Sequence, residues 1–516
     1  MSLKCVVIGA GPVGALAALY AARRGWEVEI YDLRPDLREP STTPLNFTKS
    51  INLALSERGI NALRQSDSPK LLEAILAETI PMYGRMIHGQ DSQGGLTENA
   101  QQYDVHGRAI LAVDRGDLNA RLLDELESLP NVKLRFNHKL TGVDFRRRLA
   151  WLEQKATSRR QSGSSDDGLR RSGRPGRQDE IEIDFDLVIG CDGAHSSVRF
   201  HMMKFVRLDY QQNYIDTLWC EFNIPPARGD TSKTASARDG FATSPNHLHI
   251  WPGSDKMFIA IPSVDKSFTS TLFASADDFA ALEADPKQVE LFFNKHFPGT
   301  VDLIGPSEVQ KQFEENPHLP LVSLKCSPHY FDSSGVILGD AAHAMVPFYG
   351  QGMNAGLEDV RVLFAHLDSQ STTAEGRGKA LASYNAERIP DAHAINDFSL
   401  GNFWDMRVGV RSPLVLLRKK IEEFLSDKLP SSGFATQYSR VSFSNQRYSE
   451  VARVVTRQKQ VLLEGIVGSA LLPVVGCAAW YVWRWHKGHG APNVLAGIRF
   501  FTERIGRMFT FGGSHR

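Results

Sequence analysis

Cysteine is scarce. Cys5, Cys191, Cys220, Cys326 and Cys477 are the 5 in 516 residues, far apart, with no CxxC spacing and no Cys/His cluster. That excludes a disulfide-stapled scaffold and a structural metal site, and predicts reduced thiols on a cytosol-facing body. Charge of one sign is lacking too. Lys+Arg 59 balance Asp+Glu 59, so there is no basic field to hold nucleic acid by counterion release, and no nucleic-acid partner is expected. No charged-then-apolar leader precedes the first strand, because Met1–Leu3 runs straight into KCVVI; no signal peptide is expected. Internal repeats are absent. What remains is ordinary for a globular chain, 42% hydrophobic and 23% charged, with material for about three domains at roughly 150 residues each.

Two segments depart from that average. Residues 155–180, KATSRRQSGSSDDGLRRSGRPGRQDE, carry almost no large apolar side chains to offset the entropy of ordering them, so they are read as a disordered insertion. The insertion sits between the strand-like WLEQ and IEIDFDLVIG and so extends a hairpin. Its arginines are read as a solvated surface in preference to an RNA-binding patch. The other segment is Gly465–Trp483, GIVGSALLPVVGCAAWYVW, nineteen residues without a charge, close to the roughly twenty that cross hydrocarbon. Trp480, Tyr481, Trp483 and Trp485 gather at its end before Arg484, His486 and Lys487, as at a membrane–water interface. Residues 484–516 hold six Lys/Arg against Glu503 alone, and VLAGIRFFTERIGRMF within them is basic and amphipathic. These features predict a C-terminal membrane anchor in contact with lipid.

The strongest chemical signal opens the chain. KCVVI (4–8) suits a buried parallel strand; Gly9-Ala-Gly11-Pro-Val-Gly14 follows, then the helix-periodic VGALAALYAARR closed by Gly25, then the strand WEVEIY ending at Asp32. The glycines allow a tight turn and close backbone approach, and the helix N-terminus offers N–H donors to a pyrophosphate. Asp32 stands 18 residues past Gly14, where a carboxylate can accept from an adenosine ribose hydroxyl. This much does not separate NAD from FAD. Two later segments do. DLVIGCDGAHSSVR (186–199) is a second apolar strand running into Cys191-Asp192-Gly193, with Asp192 a candidate cofactor contact. GVILGDAAHAMVPFYGQGMNAGLEDV (335–360) is a strand ending at Gly339-Asp340, a loop, and a helix starting within Gly350, Gln351, Gly352, Met353 and Asn354. Asp340 can take a ribitol hydroxyl. The Gly-rich helix start aims N–H groups at a flavin's pyrimidine edge, where charge sits once the ring is reduced. His195 and His343 lie beside these motifs and are read as structural, and no nucleophile–base set is found. After Asp209 the chain is strand-rich to about Leu272, and helical periodicity returns from Gly352 to Arg457.

GxGxxG, then CDGAHSSVR, then GDAAHAMVPFYGQGMN is an ordered set that resembles the single-component FAD-dependent aromatic hydroxylases. KSINLALSERG (49–59), PMYGRMIHG (81–89), QYD around Tyr103, VDRGDLN (113–119), PNVKLRFNHKL (130–140), GNFWDMR (401–407) and ATQYSRVSFSNQRY (435–448) narrow it to the branch that acts on L-kynurenine, over nearly all of residues 1–490. The resemblance implies an α/β fold: a Rossmann-like FAD-binding domain (1–208 and 326–390) interleaved with a β-rich substrate domain (209–325). A C-terminal helical region (391–460) and a membrane-associated tail (461–516) would follow. It implies that Gly9, Gly11, Gly14, Asp32 and Arg34 hold the adenosine half of FAD, and that Ala54, Leu140 and Arg115 contact the cofactor. Asp340, Met353 and Asn354 would serve the isoalloxazine side. Arg85 and Tyr103 would grip the substrate carboxylate, with Asn402 and Tyr438 as further polar contacts. An amino-acid carboxylate is suited to a bidentate arginine. The stretch between Arg85 and Tyr103 is longer than this family usually shows.

The implied activity is hydroxylation of L-kynurenine at the 3-position, in tryptophan catabolism towards NAD biosynthesis. NADPH would bind without a Rossmann unit of its own and reduce FAD; O2 would then pass through a C4a-hydroperoxide to the aniline ring. The chemistry is cofactor-borne, so no catalytic side chain is expected. The implied location is the mitochondrial outer membrane, facing the cytosol. Two other readings stand beside it: a flavin hydroxylase of a phenol or salicylate-type ring, and a flavin-containing membrane adaptor.

Overall fold

The computed structural model describes residues 2–39, 52–155, 170–171, 180–227, 239–407, 409 and 412–487, without the side chains of residue 170, of 413–414, of 463 and of most of 465–485. The chain divides into two compact units, Met1–Ala452 and Arg453–Arg516.

The first unit is built around a six-stranded sheet in the order Tyr330–Phe331, Gly335–Ile337, Leu187–Gly190, Lys4–Ile8, Glu27–Tyr31, Val132–Arg135. Its neighbours are parallel except at the Tyr330–Phe331 edge. The apolar run of the first strand serves both faces, as the two-residue strand period requires. Cys5 and Val7 join Val28, Ile30, Leu187 and Ile189 under the helix Pro12–Arg23. Val6 and Ile8 join Val188, Ile337 and Leu140 on the other side. Small side chains let that helix lie close to the sheet: Ala15, Ala17, Ala18, Ala21 and Ala22 are all buried. Gly25, at φ +74°, turns the chain into the next strand.

A seven-stranded sheet follows, in the order Leu319–Ser327, Asp209–Ile224, Phe268–Ala274, Met257–Pro262, His247–Pro252, Gly84–Gln90, Leu96–Gln102. One face packs Phe222, Trp251, Phe258 and Phe268 against helices between Ala276 and Glu315, where Phe279, Phe293 and Phe313 are buried. The other face places Ile87, Ile250, Met257 and Phe273 against Phe348, Phe403 and Met406. Arg85 shares the face of Ile87. His88 shares the opposite one, stacked 3.9 Å from Trp251.

The Gly84–Gln102 hairpin lies before residue 208, yet it joins the sheet formed mainly by residues after it, through parallel pairing of Gly84–Ile87 with His247–Ile250. It also accounts for the long stretch between Arg85 and Tyr103. Gly84 pairs with Gln102 across the hairpin, so the added residues form its arms and return Tyr103 to the side of Arg85.

Leu149–Gln154 and Glu180–Asp184 pair antiparallel on either side of the 155–180 insertion. The insertion falls mostly outside the described residues. Where it is described it departs from the expected lack of structure: Arg170–Arg171 pair with Ile181 and Glu182 as a two-residue edge strand, since backbone ladder bonds need no apolar side chain. Helices dominate from Gly352 onward: Gly352–Asp368, Ala374–Arg407, Pro413–Lys428, Gln437–Ser442 and Tyr448–His486. Among the described residues no helix is long and apolar enough to cross a membrane. The side chains of 465–479 and the basic tail beyond 487 lie outside the described residues.

Glu221, in the strand Asp209–Ile224, is 5% exposed and its Oε1 has no hydrogen-bond partner. Burial pushes its carboxyl up to about 8. The unfolded chain ionises near 4.3, so between those values unfolding releases a proton and stability falls as pH rises. Glu221→Gln removes that cost. It is expected to raise the melting temperature at pH 7.5 by several degrees and at pH 4.5 by little; thermal denaturation at the two pH values checks the difference.

Candidate functional site

The dinucleotide cradle forms where the first strand meets the helix Pro12–Arg23. Gly9 has φ +101°, and a Cβ there would collide with the Cys191 carbonyl; a Cβ on Gly14 would collide with the Gly9 carbonyl. A Cβ on Gly11 would meet nothing within 4 Å. Two glycines are therefore forced by the protein's own packing, and the third faces open space. Asn119, from VDRGDLN, donates Nδ2 to the Ala10 carbonyl at 3.0 Å and secures the loop. Asp32 ends its strand 6% exposed. Its carboxylate accepts from Ala10 N at 2.7 Å, Arg34 N at 2.8 Å and Arg34 Nε at 3.2 Å. His138 N donates to the Asp32 carbonyl at 2.8 Å, which sets the strand His138–Asp144, with Leu140, beside this end.

Arg115 heads the helix Arg115–Glu127. Burial pushes its guanidinium below its usual range, while the nearby Asp340 carboxylate acts the other way and Arg34 adds repulsion. Arg34, Arg115 and Asp340 thus converge. Asp340 is exposed after Gly339, which has φ +58°. Asp192 behaves differently. Its backbone packs beside Gly9, but its carboxylate accepts from Ser196 Oγ at 2.5 Å, Ser197 N at 2.6 Å and Val198 N at 3.1 Å, holding the start of the helix Ser197–Met202.

Gly350, at φ +66°, precedes Gln351 and the helix Gly352–Asp368. Asn354 is fully buried and joins three pieces of chain: Nδ2 donates to the Ala54 carbonyl at 2.7 Å and the Gly350 carbonyl at 3.0 Å, and Oδ1 accepts from Ser56 N at 2.8 Å. Met353 packs half-buried on the main core. Nε2 of Gln351 is buried with no hydrogen-bond partner. A flavin dinucleotide fits these groups: open room over Gly11 at a helix N-terminus, a desolvated arginine, carboxylates at two strand ends, and an orphaned amide donor at the second helix start.

The substrate-side residues also converge. Tyr103 and Tyr438 stack at 4.7 Å, and Tyr349 lies 5.6 Å beyond Tyr438. The Arg85 guanidinium sits 4.9 Å from the Tyr438 ring and 5.9 Å from the Tyr103 ring, with its Nε buried and unpartnered. Burial pushes both phenols above their usual range, so they stay protonated and can donate. Asn402 does not join this group directly. Its Nδ2 donates to the Phe348 carbonyl at 2.6 Å, fixing the turn that carries Tyr349. Lys419, on the helix Pro413–Lys428, donates to the Gln102 carbonyl at 2.9 Å and brings a second cation near Arg85.

Residue types and spacing did not single out the buried ionic cluster behind both groups. Arg388 donates to Asp359 at 2.5 Å and to Glu358 at 2.8 Å, Arg58 donates to Glu358 at 2.9 Å, and His343 Nε2 lies 2.6 Å from Asp359. Burial raises the Asp359 carboxyl, but His343 and Arg388 outweigh it and hold the group well below the usual carboxylate range. The available signal was charge inside apolar helical runs, in GLEDV and NAERIPD.

The chain is similar to known proteins over most of its length. The family described as FAD binding domain matches residues 2–399. A kynurenine 3-monooxygenase of Neurospora crassa is 56% identical over 508 residues, 95% of this chain and 96% of that one. Its counterpart in Aspergillus clavatus is 57% identical over 516 residues, 98% of this chain and 96% of that one. Among solved structures, tetrameric 2-methyl-3-hydroxypyridine-5-carboxylic acid oxygenase covers 80% of this chain and 95% of its own, at TM-score 0.58 and 17% identity. PqsL of Pseudomonas aeruginosa in complex with 2-aminobenzoylacetate covers 81% of this chain and 100% of its own, at TM-score 0.59 and 18% identity. At such identities these two speak for the fold.

Gly11 and Gly14 separate cofactor fit from packing. Gly11→Ala should leave the melting temperature of the flavin-free protein unchanged while weakening FAD binding about tenfold or more, because its Cβ enters the pyrophosphate's room. Gly14→Ala should lower both. Flavin titration and denaturation of the stripped proteins measure the two effects.

Proposed function

The chain belongs to the FAD binding domain family, among the kynurenine 3-monooxygenases, and from that premise we propose that it hydroxylates L-kynurenine to 3-hydroxykynurenine using NADPH and O2. The observation that carries the substrate assignment is Arg85: a guanidinium with a buried, unpartnered Nε, beside two stacked phenols. Such a group requires an anion, and an α-amino acid's carboxylate supplies one in bidentate geometry. FAD, when bound, supplies the redox chemistry with NADPH and oxygen.

The chain's own residues bind, orient and exclude water. Tyr103 and Tyr438, neutral through burial, donate hydroxyl protons without adding negative charge beside the substrate's carboxylate. Tyr349 and Phe348, backed by Phe403 at 4.1 Å, wall the space toward the cradle. Ala54 packs in one cluster with Tyr103 and Tyr438 and also holds Asn354 through its carbonyl. One strand thereby links the clamp residues to the helix that would hold the cofactor. No side chain need act as a base, since the aniline nitrogen of the substrate activates its own ring.

We also propose that residues 465–483 anchor the protein to a membrane facing the cytosol, by family resemblance the mitochondrial outer one. The support is the uncharged run and the aromatic and basic residues after it.

Anaerobic NADPH should bleach the bound flavin much faster with L-kynurenine than without it. A response to phenol or salicylate in its place would move the substrate assignment, and no bleaching with any ligand would leave a structural flavin. Arg85→Ala should keep FAD bound and raise the KM for kynurenine by roughly 30-fold or more, about 2 kcal/mol or above; unchanged kinetics would remove the clamp. Deleting residues from Leu462 onward should move the protein from the membrane pellet to the supernatant.

A further inference from the structure

The loop after Tyr103 and the helix that carries Tyr438 are joined a second time, through the next residue in each. Asp104 is 4% exposed and closes its own loop: Oδ1 accepts from His106 N at 3.2 Å and from Arg108 N at 3.1 Å. Gly107, at φ +68°, lets the chain turn there. The Arg108 side chain folds back on the same carboxylate, to which its Nε donates. Its other nitrogens cross to the second segment. Nη2 donates to Ser439 Oγ at 2.8 Å and Nη1 to the Phe443 carbonyl at 3.3 Å. The guanidinium lies 4.8 Å from the centre of the Phe443 ring.

Asp104 and Ser439 are the chain neighbours of Tyr103 and Tyr438, whose rings stack at 4.7 Å beside Arg85. Each phenol has a hold on its own surroundings. Tyr103 N donates to the Tyr83 carbonyl at 3.0 Å. On the other segment, Arg58 donates to the Val441 carbonyl at 3.0 Å and to Glu358 of the cradle helix Gly352–Asp368. Arg108 does something different: it ties the backbone beside one phenol to the backbone beside the other. A planar guanidinium can aim three nitrogens at separate partners at once, which a single ammonium cannot. An exposed ion pair would add little, but both partners here are buried side chains, 4% and 8% exposed.

We propose that Arg108 is a positioning residue for the substrate: it fastens the Tyr103 loop to the Tyr438 helix and so keeps the two phenols at the spacing that a carboxylate on Arg85 requires. This rests on the clamp reading above and deepens it. Arg108 acts through the two backbones and need not touch the ligand.

Arg108→Ala is expected to retain FAD and to raise the KM for kynurenine about tenfold while lowering kcat no more than about threefold, since misplaced donors weaken the hold on the acid group. Arg108→Lys keeps the positive charge and can meet Asp104, but has no fork to reach Ser439 as well. Its KM should stay within about threefold of the alanine variant's; a lysine variant with the parent's KM would make the effect one of charge alone and overturn the proposal. Ser439→Ala removes one arm, so adding it to Arg108→Ala should raise KM no further, and full additivity overturns the bridge.

Hydrogen exchange of the flavin-loaded proteins without kynurenine reads the bridge itself. Arg108→Ala should speed the exchange of amides in 104–108 and in 437–443 together. Exchange that rises only in 104–108, or an unchanged KM, overturns the proposal. Should Arg108→Ala fail to fold because it strands the Asp104 carboxylate, Ser439→Ala alone must raise KM about threefold or more and speed exchange in 437–443. A Ser439→Ala protein that matches the parent in both also overturns it. A parent enzyme that ignores kynurenine would sink the substrate reading, and the exchange rates would still decide whether Arg108 fastens the two segments.

Discussion

Asp359 is fully buried, and its carboxylate accepts from two separate parts of the chain: Gly339 N at 2.8 Å and His343 Nε2 at 2.6 Å from one, and Arg388 Nε at 2.5 Å from the other. Gly339 precedes Asp340 at the cradle, Asp359 itself lies in the cradle helix, and Arg388 comes from the long helix Ala374–Arg407 that also carries Asn402. Buried charges of this kind add little net stability over apolar groups of equal volume, because desolvation offsets their attraction. Stranding one member, by contrast, costs about 3–5 kcal/mol. The cluster therefore acts by exclusion: any other register of these helices would leave a bare charge in the interior. That is why the cofactor half and the helical half of the molecule meet in one arrangement.

The sequence was most informative where backbone geometry forces residue identity. Gly9 and Gly14 have carbonyls where a Cβ would be, and the run KCVVI is buried on both faces, so the first strand, turn and helix could be read directly. Arg85, Tyr103 and Tyr438 came from resemblance, and their meeting depends on pairings far apart in the chain. The hairpin after Gly84 and the parallel ladder with His247–Ile250 have no local signature. Asp192 shows the opposite case. The motif suggested a cofactor contact, whereas its oxygens hold its own loop, since a short acidic side chain before a helix finds N–H donors nearby. Arg58 and Arg388 were illegible because charge within a helix ordinarily marks a solvated face, and only tertiary structure shows these ones buried.

The long helix illustrates how one periodic pattern serves several ends. Asn396, Ser399, Asn402 and Met406 recur every three or four residues and are all buried. Asn396 donates to the Leu324 and Ala344 carbonyls at 3.0 Å, and Asn402 to the Phe348 carbonyl. Of the acceptors in 344–349, the Ala344 carbonyl takes one bond from Leu324 N of the neighbouring strand at 2.8 Å, and an interior loop must find its further donors elsewhere. Two asparagines one face apart supply them. Asn402 thus belongs to the site through the loop it shapes.

The electrostatics of the substrate side follow from the same economy of donors. Arg85 and Lys419 bring two cations to one wall, and the rings nearest Arg85 are phenols that burial keeps neutral. Glu423 lies 3.6 Å from Lys419 and offsets that cation, whereas the ring faces beside Arg85 attract its guanidinium without neutralising it. On the proposed reading, an aromatic ligand held there by its acid group would have its far end directed by Tyr349, Phe348 and the Ala54 strand, which are linked by hydrogen bonds to Asn354 and Asn402. On that reading the ring position meeting the cofactor would be set by the length of the ligand between its carboxylate and its amine-bearing ring, and a site with no acid–base side chain would still be selective.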